Sequence, residues 1–113
     1  MNEWYRAELK KRIPPLIDKW QREIGVKADS WGIKNMKTRW GTCNTKEKRI
    51  WINLQLAKKP LQCLEYIVVH ELVHLKEKHH TSVFIEQMDQ LLPDWRETKE
   101  ELNSFIMDRF LEE

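Results

Sequence analysis

At 113 residues, with 41% hydrophobic residues, six Trp and a net charge of +2, the chain fits one domain over 1–113 with a modest core. No run approaches the ~20 apolar residues of a membrane span, and the polar, charged stretch from Met1 to Arg12 lacks the pattern of a secretory signal. Two cysteines without a CxxC partner exclude a disulfide scaffold and suit reduced thiols in a cytoplasmic, monomeric protein.

The first predicted element is a helix, in which Leu9, Ile13, Leu16, Ile17, Trp20 and Ile24 recur at helical spacing and form a core stripe. Pro14 and Pro15 fall inside it, and either kink it or start a second helix. Gly25 suits a C-cap.

From Val26 to Leu56 the pattern shortens to alternating runs: Trp31 and Ile33, then Trp40 and Thr42, then Ile50, Ile52 and Leu54. These predict three strands, with Asn44 to Arg49 as a hairpin connection. Gly41, inside a strand pattern, marks a bulge or a place where another backbone approaches closely. Trp40 and Trp51 suit core packing better than stacking on a ligand.

The charge is uneven. Residues 34–59 carry eight Lys or Arg against the single acid Glu47, whereas residues 86–113 carry nine acids and three bases. Two solvated faces of opposite sign explain this; the basic one could also bind an anion, a nucleotide or nucleic acid.

After Lys58-Lys59-Pro60, apolar Leu64, Ile67, Val68, Leu72 and Leu75 predict a second core helix. His70 and His74 sit four apart on one face, with Cβ atoms roughly 6 Å apart, so both imidazoles can reach one Zn²⁺. Glu71 follows about 100° further round, where its carboxylate can hold a water beside the ion. This is the H-E-x-x-H pattern of zinc hydrolases. Such a pattern also arises by chance, but here it interrupts the apolar run Ile67 to Leu75, and burying it without a metal leaves costly polar groups. Glu77, His79, His80 and Glu86 are candidates for a third ligand. His80 can serve only if the chain turns back after Lys78, and Thr81 and Ser82 suit the N-cap of a further helix beyond such a turn. Phe84, Met88 and Leu91 give that helix its core stripe and Pro93 ends it. Asp94 with Glu97 resembles a capping box opening a last helix, whose Leu102, Ile106 and Phe110 face inward. Cys43 and Cys63 read as small core residues.

Arg39-Trp40-Gly41-Thr42-Cys43, Ile52-Asn53-Leu54, Tyr66 to Leu75, His80, Phe84 and Leu92-Pro93-Asp94 together resemble the YgjP-like metallopeptidase domain, a zincin family related to SprT-type proteases. The resemblance runs from Trp4 to about Leu102. It departs at Thr42, where Ser is usual, at Val73, where Cys is frequent, and at Lys78-His79, where Pro-Asn often stand. It implies an α+β zincin-like fold: an N-terminal helix, a small three-stranded sheet, the active-site helix and two C-terminal helices. It further implies His70, His74 and His80 as Zn²⁺ ligands, Glu71 as general base, and a peptide or protein substrate. In zincins a strand borders the cleft, which makes Arg39, Trp40 and Gly41 candidates for substrate binding, with Arg39 as a possible second electrophile. Tyr66, one turn before His70, could orient a ligand or belong to the core. Hydrolysis of nucleotide phosphoanhydrides by the same water activation, and a non-catalytic metal-stabilised binding module, are the alternatives; an intact Glu71 argues against the latter.

Overall fold

The computed structural model describes residues 2–106, with side chains from 3 to 104. The expected inward positions of Ile106 and Phe110 lie outside the described side chains. Helix α1 (Asn2–Ile24) is followed by strands β1 (Ser30–Lys34), β2 (Gly41–Asn44) and β3 (Arg49–Asn53), a 3-10 helix (Leu54–Lys58), and helices α2 (Leu61–His74), α3 (Ser82–Leu91) and α4 (Trp95–Ile106). This is the α+β order expected from the sequence.

Helix α1 runs unbroken through Pro14 and Pro15. The two prolines remove the amides that would bond the carbonyls of Lys10 and Lys11. Both lysines are exposed, so water can serve those carbonyls. The stripe that outweighs this loss is real: Leu9, Ile13, Ile17, Trp20 and Ile24 are all buried. Gly25 ends the helix with φ 83°, a left-handed conformation that glycine adopts without steric cost.

The sheet has the order β1-β3-β2, with β1 parallel and β2 antiparallel to β3. Ile33, Ile50 and Ile52 are buried on its inner face. The hairpin between β2 and β3 is held by Asn44, whose Oδ1 accepts from the amides of Lys46 and Glu47 at 3.0 Å each. Two strand boundaries differ from the sequence reading. Trp40 lies just before β2, and Leu54 opens the 3-10 helix instead of extending β3. Asn53 causes both shifts. Its Oδ1 accepts from the Gln55 amide at 3.0 Å and caps the 3-10 helix, while its Nδ2 donates to the carbonyls of Met36 (3.1 Å) and Arg39 (2.7 Å).

Helix α2 is the centre of the molecule. Apart from Glu65, every residue from Cys63 to Val73 is buried, with α1 and the 3-10 helix, the sheet, and α3 and α4 packed around it. Arg6 Nη1 donates to the Ile33 carbonyl (3.0 Å), and Trp20 Nε1 donates to Glu65 Oε2 (2.8 Å), which ties α1 to the sheet and to α2. No described helix is long and apolar enough to cross a membrane.

Candidate metal centre

Helix α2 ends at His74, four residues before the turn expected after Lys78. The Leu75 amide bonds the Leu72 carbonyl, and the amides of Lys76 and Glu77 both bond the Val73 carbonyl. The chain then reverses over residues 75–81. Thr81 opens α3 with its Oγ1 accepting from the Phe84 amide at 3.3 Å. This cap is the one the sequence foretells, and it returns His80 to the face that bears His70 and His74.

One ring nitrogen from each of His70, His74 and His80 lies within 4.8 Å of the others. The Nε2 atoms of His74 and His80 are 3.0 Å apart. Donors around a tetrahedral ion with bonds of about 2.0–2.1 Å are separated by about 3.3–3.4 Å. The His74–His80 pair is within a few tenths of an ångström of that spacing. The full set, spread over 4.8 Å, must draw together by about an ångström around an ion, and three imidazoles suit a borderline divalent ion. His74 Nδ1 lies 3.3 Å from the Glu77 carbonyl. A proton on Nδ1 makes that bond and leaves the lone pair on Nε2, the usual orientation of a ligating histidine.

The other candidates for a third ligand lie elsewhere. His79 is exposed and lines the cleft outside the cluster. The carboxylate of Glu77 accepts from the Thr81 hydroxyl at 3.3 Å, bracing the turn. Glu86 is exposed on α3.

Beneath the cluster is Phe84, 2% exposed. Its ring centroid lies 5.1 Å from that of His70, 4.7 Å from His74 and 4.8 Å from His80. Phe84 thus limits the rotamers of all three histidines, a role that its place in an ordinary core stripe did not reveal. The signal was its position: third after Thr81, where the cap must aim it back at α2. Tyr66 is buried and bridges two environments, edge-on to His70 at 5.7 Å and stacked on Trp95 at 6.3 Å.

His74 and His80, with the buried His70 behind them, open into a cleft of about 510 Å³ lined by Arg39, Thr42, Cys43 and Thr45 on one side and Glu71, His74, Lys78, His79 and His80 on the other. Glu71 is 1% exposed, so its carboxylate sits at the floor. Apart from Glu71, the charged side chains of the wall, Arg39 and Lys78, are cationic. Arg39 lies in the loop before β2, not on a strand, and is exposed. Trp40 is a core residue at 5% exposure, so its ring offers no stacking surface for a ligand. Gly41 does not line the cleft, but it is where β2 presses on α2. A Cβ there would meet Ile67 Cγ2 at 2.7 Å and Glu71 Oε2 at 3.1 Å. The close approach read from the sequence is therefore to side chains of the central helix. Cys43 is half-buried: it packs against the core and also lines the cleft. Cys63 is fully buried, and burial pushes its thiol up to about 11, so it stays protonated and inert at neutral pH.

The missed residue with the widest reach is Asn53. It is wholly buried, and its four side-chain bonds, together with its amide to the Trp40 carbonyl (3.0 Å), set the loop that carries Arg39 and delivers Gly41 to the helix. A polar residue ending an apolar strand was the available sign.

Comparisons with known proteins agree with this geometry. The chain is similar to the crystal structure of the metallopeptidase zymogen of Pyrococcus abyssi abylysin, with a TM-score of 0.76 and 19% identity over 86% of this chain and 97% of that one. It is similarly close to the metallopeptidase zymogen of Methanocaldococcus jannaschii jannalysin, with a TM-score of 0.73 and 20% identity over 84% and 97% of the two chains. At such identities the likeness establishes the fold. No curated protein sequence matches significantly. The profile of the YgjP-like metallopeptidase domain matches residues 1–105, nearly the whole chain, and the chain belongs to that family.

Proposed function

We propose that the protein is a zinc metallopeptidase in which residues 1–113 act as one domain. The observation that carries the reading is the convergence of three imidazole nitrogens within 4.8 Å at the floor of a cleft that also holds the buried Glu71 carboxylate. His70, His74 and His80 would hold the ion. Bound there, zinc supplies Lewis acidity, which makes water nucleophilic near neutral pH and polarises a scissile carbonyl.

The chain's own groups do the rest. Glu71 takes the proton of the attacking water and passes it to the leaving amine nitrogen; such positioned acid–base transfer contributes about 10²–10⁴-fold. Its burial limits competing solvent, and Gly41 of β2 packs closely against the carboxylate from the sheet side. Strand β2 is one of the two edge strands of the sheet and borders the cleft through Thr42 and Cys43. An extended peptide can add to that edge through main-chain bonds. Arg39 and Lys78 supply positive charge beside the reacting carbonyl, where developing negative charge is stabilised, and they favour substrates with acidic groups near the scissile bond.

Parallel turnover assays on unfolded protein, DNA-bound protein and nucleoside triphosphates, run with the parent and with Glu71→Gln, test the proposal. Peptide-bond cleavage that falls at least about 10²-fold in Glu71→Gln, with metal content unchanged, supports it. Turnover of triphosphates alone would transfer the activity to phosphoanhydrides, for which the cationic wall is equally suited. Activity of Glu71→Gln within about tenfold of the parent would remove Glu71 as the base.

A further inference from the structure

The outer face of the sheet has a feature that the cleft does not use. Alternation along β3 sends Ile50 and Ile52 into the core and Arg49 and Trp51 outward. Across the ladder Trp51 pairs with Gly32 of β1 and Thr42 of β2. Its indole lies over Gly32, where a Cβ would approach the ring to 2.8 Å at Cε3 and 3.0 Å at Cη2. Only glycine allows the ring to rest there. Two cations lie over it: Lys34 Nζ is 4.2 Å from the ring centroid and Arg49 Cζ 5.4 Å. Arg49 Nε also donates to Ser30 Oγ at 2.9 Å, which fixes the guanidinium beside the indole. Among the described residues neither Lys34 nor Arg49 has a carboxylate partner.

We propose that this face binds single-stranded nucleic acid, with a base stacked on Trp51 in place of the Lys34 ammonium, which swings out with Arg49 to hold the flanking phosphates. Every base offers a π-face to an aromatic ring, and cations beside the ring neutralise the backbone. A ring needed only to cover Gly32 has no use for two cations without carboxylate partners, whereas a polyanion complements them. Lys46 and Lys48, against Glu47, extend the positive charge along the adjoining hairpin, and all three are exposed. A single strand fits better than a duplex, whose bases are already stacked on each other. Thr42 belongs to both surfaces, as the ladder partner of Trp51 and as part of the cleft wall. A strand held here would therefore run beside the cleft mouth, although its binding does not depend on the proposed peptidase activity.

Anisotropy of a fluorescein-labelled oligothymidylate, titrated with the full chain at several salt concentrations, tests this. The expected result is salt-dependent binding, stronger than to a duplex of equal length. Trp51→Ala should weaken it at least about fivefold, the lower end of one base stack, and Trp51→Phe should retain most of it. Trp51→Leu, which keeps Gly32 covered but has no π-face, should behave as Trp51→Ala, so a folding defect in the alanine variant does not decide the outcome. The double variant Lys34→Gln/Arg49→Gln should flatten the slope of log K against log salt by about 1.4, two phosphates at about 0.7 each. Absence of binding at low salt overturns the proposal. So does binding that both Trp51→Ala and Trp51→Leu leave within about twofold of the parent, since a lost stack must cost more. Equal binding of anionic lipid vesicles with the same variant pattern would assign the face to lipid and likewise overturn it.

Discussion

Replacing Gly41 by Ala probes the contact between the sheet and the central helix. The new methyl would stand 2.7 Å from Ile67 Cγ2, 3.1 Å from Glu71 Oε2 and 3.2 Å from Glu71 Cγ. Carbon atoms rest at about 3.5–4.0 Å, so β2 and α2 must part by roughly an ångström, or Ile67 and Glu71 must leave their rotamers. Ile67 is 4% and Glu71 1% exposed, which leaves little room for either to yield. Overpacking of this kind costs about 1–3 kcal/mol. Reduced backbone freedom in the unfolded chain offsets about 0.4–1 kcal/mol of it, so Tm should fall by several degrees. The catalytic effect should be larger, because displacing a reacting group by about 1 Å can cost about 10²-fold. The assay is peptide turnover beside a thermal melt and metal analysis, with metal content unchanged because the atoms nearest the new methyl belong to Ile67 and Glu71 and not to a histidine. Adding Ile67→Leu removes the β-methyl with little change in volume and should restore part of both losses. An alanine variant as stable as the parent and within about threefold of its turnover would refute the positioning argument, since overpacking here must cost measurable stability.

Asn53→Ala should destabilise the fold by at most about 2–6 kcal/mol, because it strands the part-buried Arg39 carbonyl and Gln55 amide, and a fully buried group would cost about 1–3 kcal/mol each. Denaturant unfolding reads this, and a loss under 1 kcal/mol would mean that water replaces the amide. Asp89 supplies a pH test. Its carboxylate accepts from Trp95 Nε1 (2.8 Å) and Arg96 Nη1 (2.6 Å), and these bonds hold its pKa below the usual value. A group depressed on folding stabilises above its unfolded pKa and loses that contribution as pH falls through the folded one. Asp89→Asn should therefore be less stable than the parent near neutrality, the gap closing in strong acid. A gap independent of pH would assign the effect to shape rather than charge.

Local pattern made much of this fold legible, and the failures have physical reasons. The stripes of α1 and α2, the three strands and the Thr81 cap follow from periodicity and capping chemistry, which act over a few residues. The H-E-x-x-H spacing placed two imidazoles on one face for the same reason. His80 could not be separated from His79 by spacing, because which ring turns inward depends on a reversal that begins at Leu75 and on Phe84 beneath it. Asn53 went unassigned because its partners Met36 and Arg39 lie 17 and 14 residues away. Trp40 is a rim candidate by resemblance but suits core packing by its type, and its ring is buried: the resemblance gives the neighbourhood of a residue, and packing shows whether its ring faces solvent or core. Cys43, read as core from its type, packs against the core opposite Ile50, and only the fold shows that the same inner-face position also borders the cleft.

Metal content of single alanine variants, measured by elemental analysis on the purified full chain, tests the central claim most directly. About one zinc per chain is expected in the parent and in His79→Ala, with loss from His70→Ala, His74→Ala and His80→Ala, because removing one of three protein ligands from an open site leaves too few donors. Full zinc retention in His80→Ala together with its loss in His79→Ala would contradict the assigned centre.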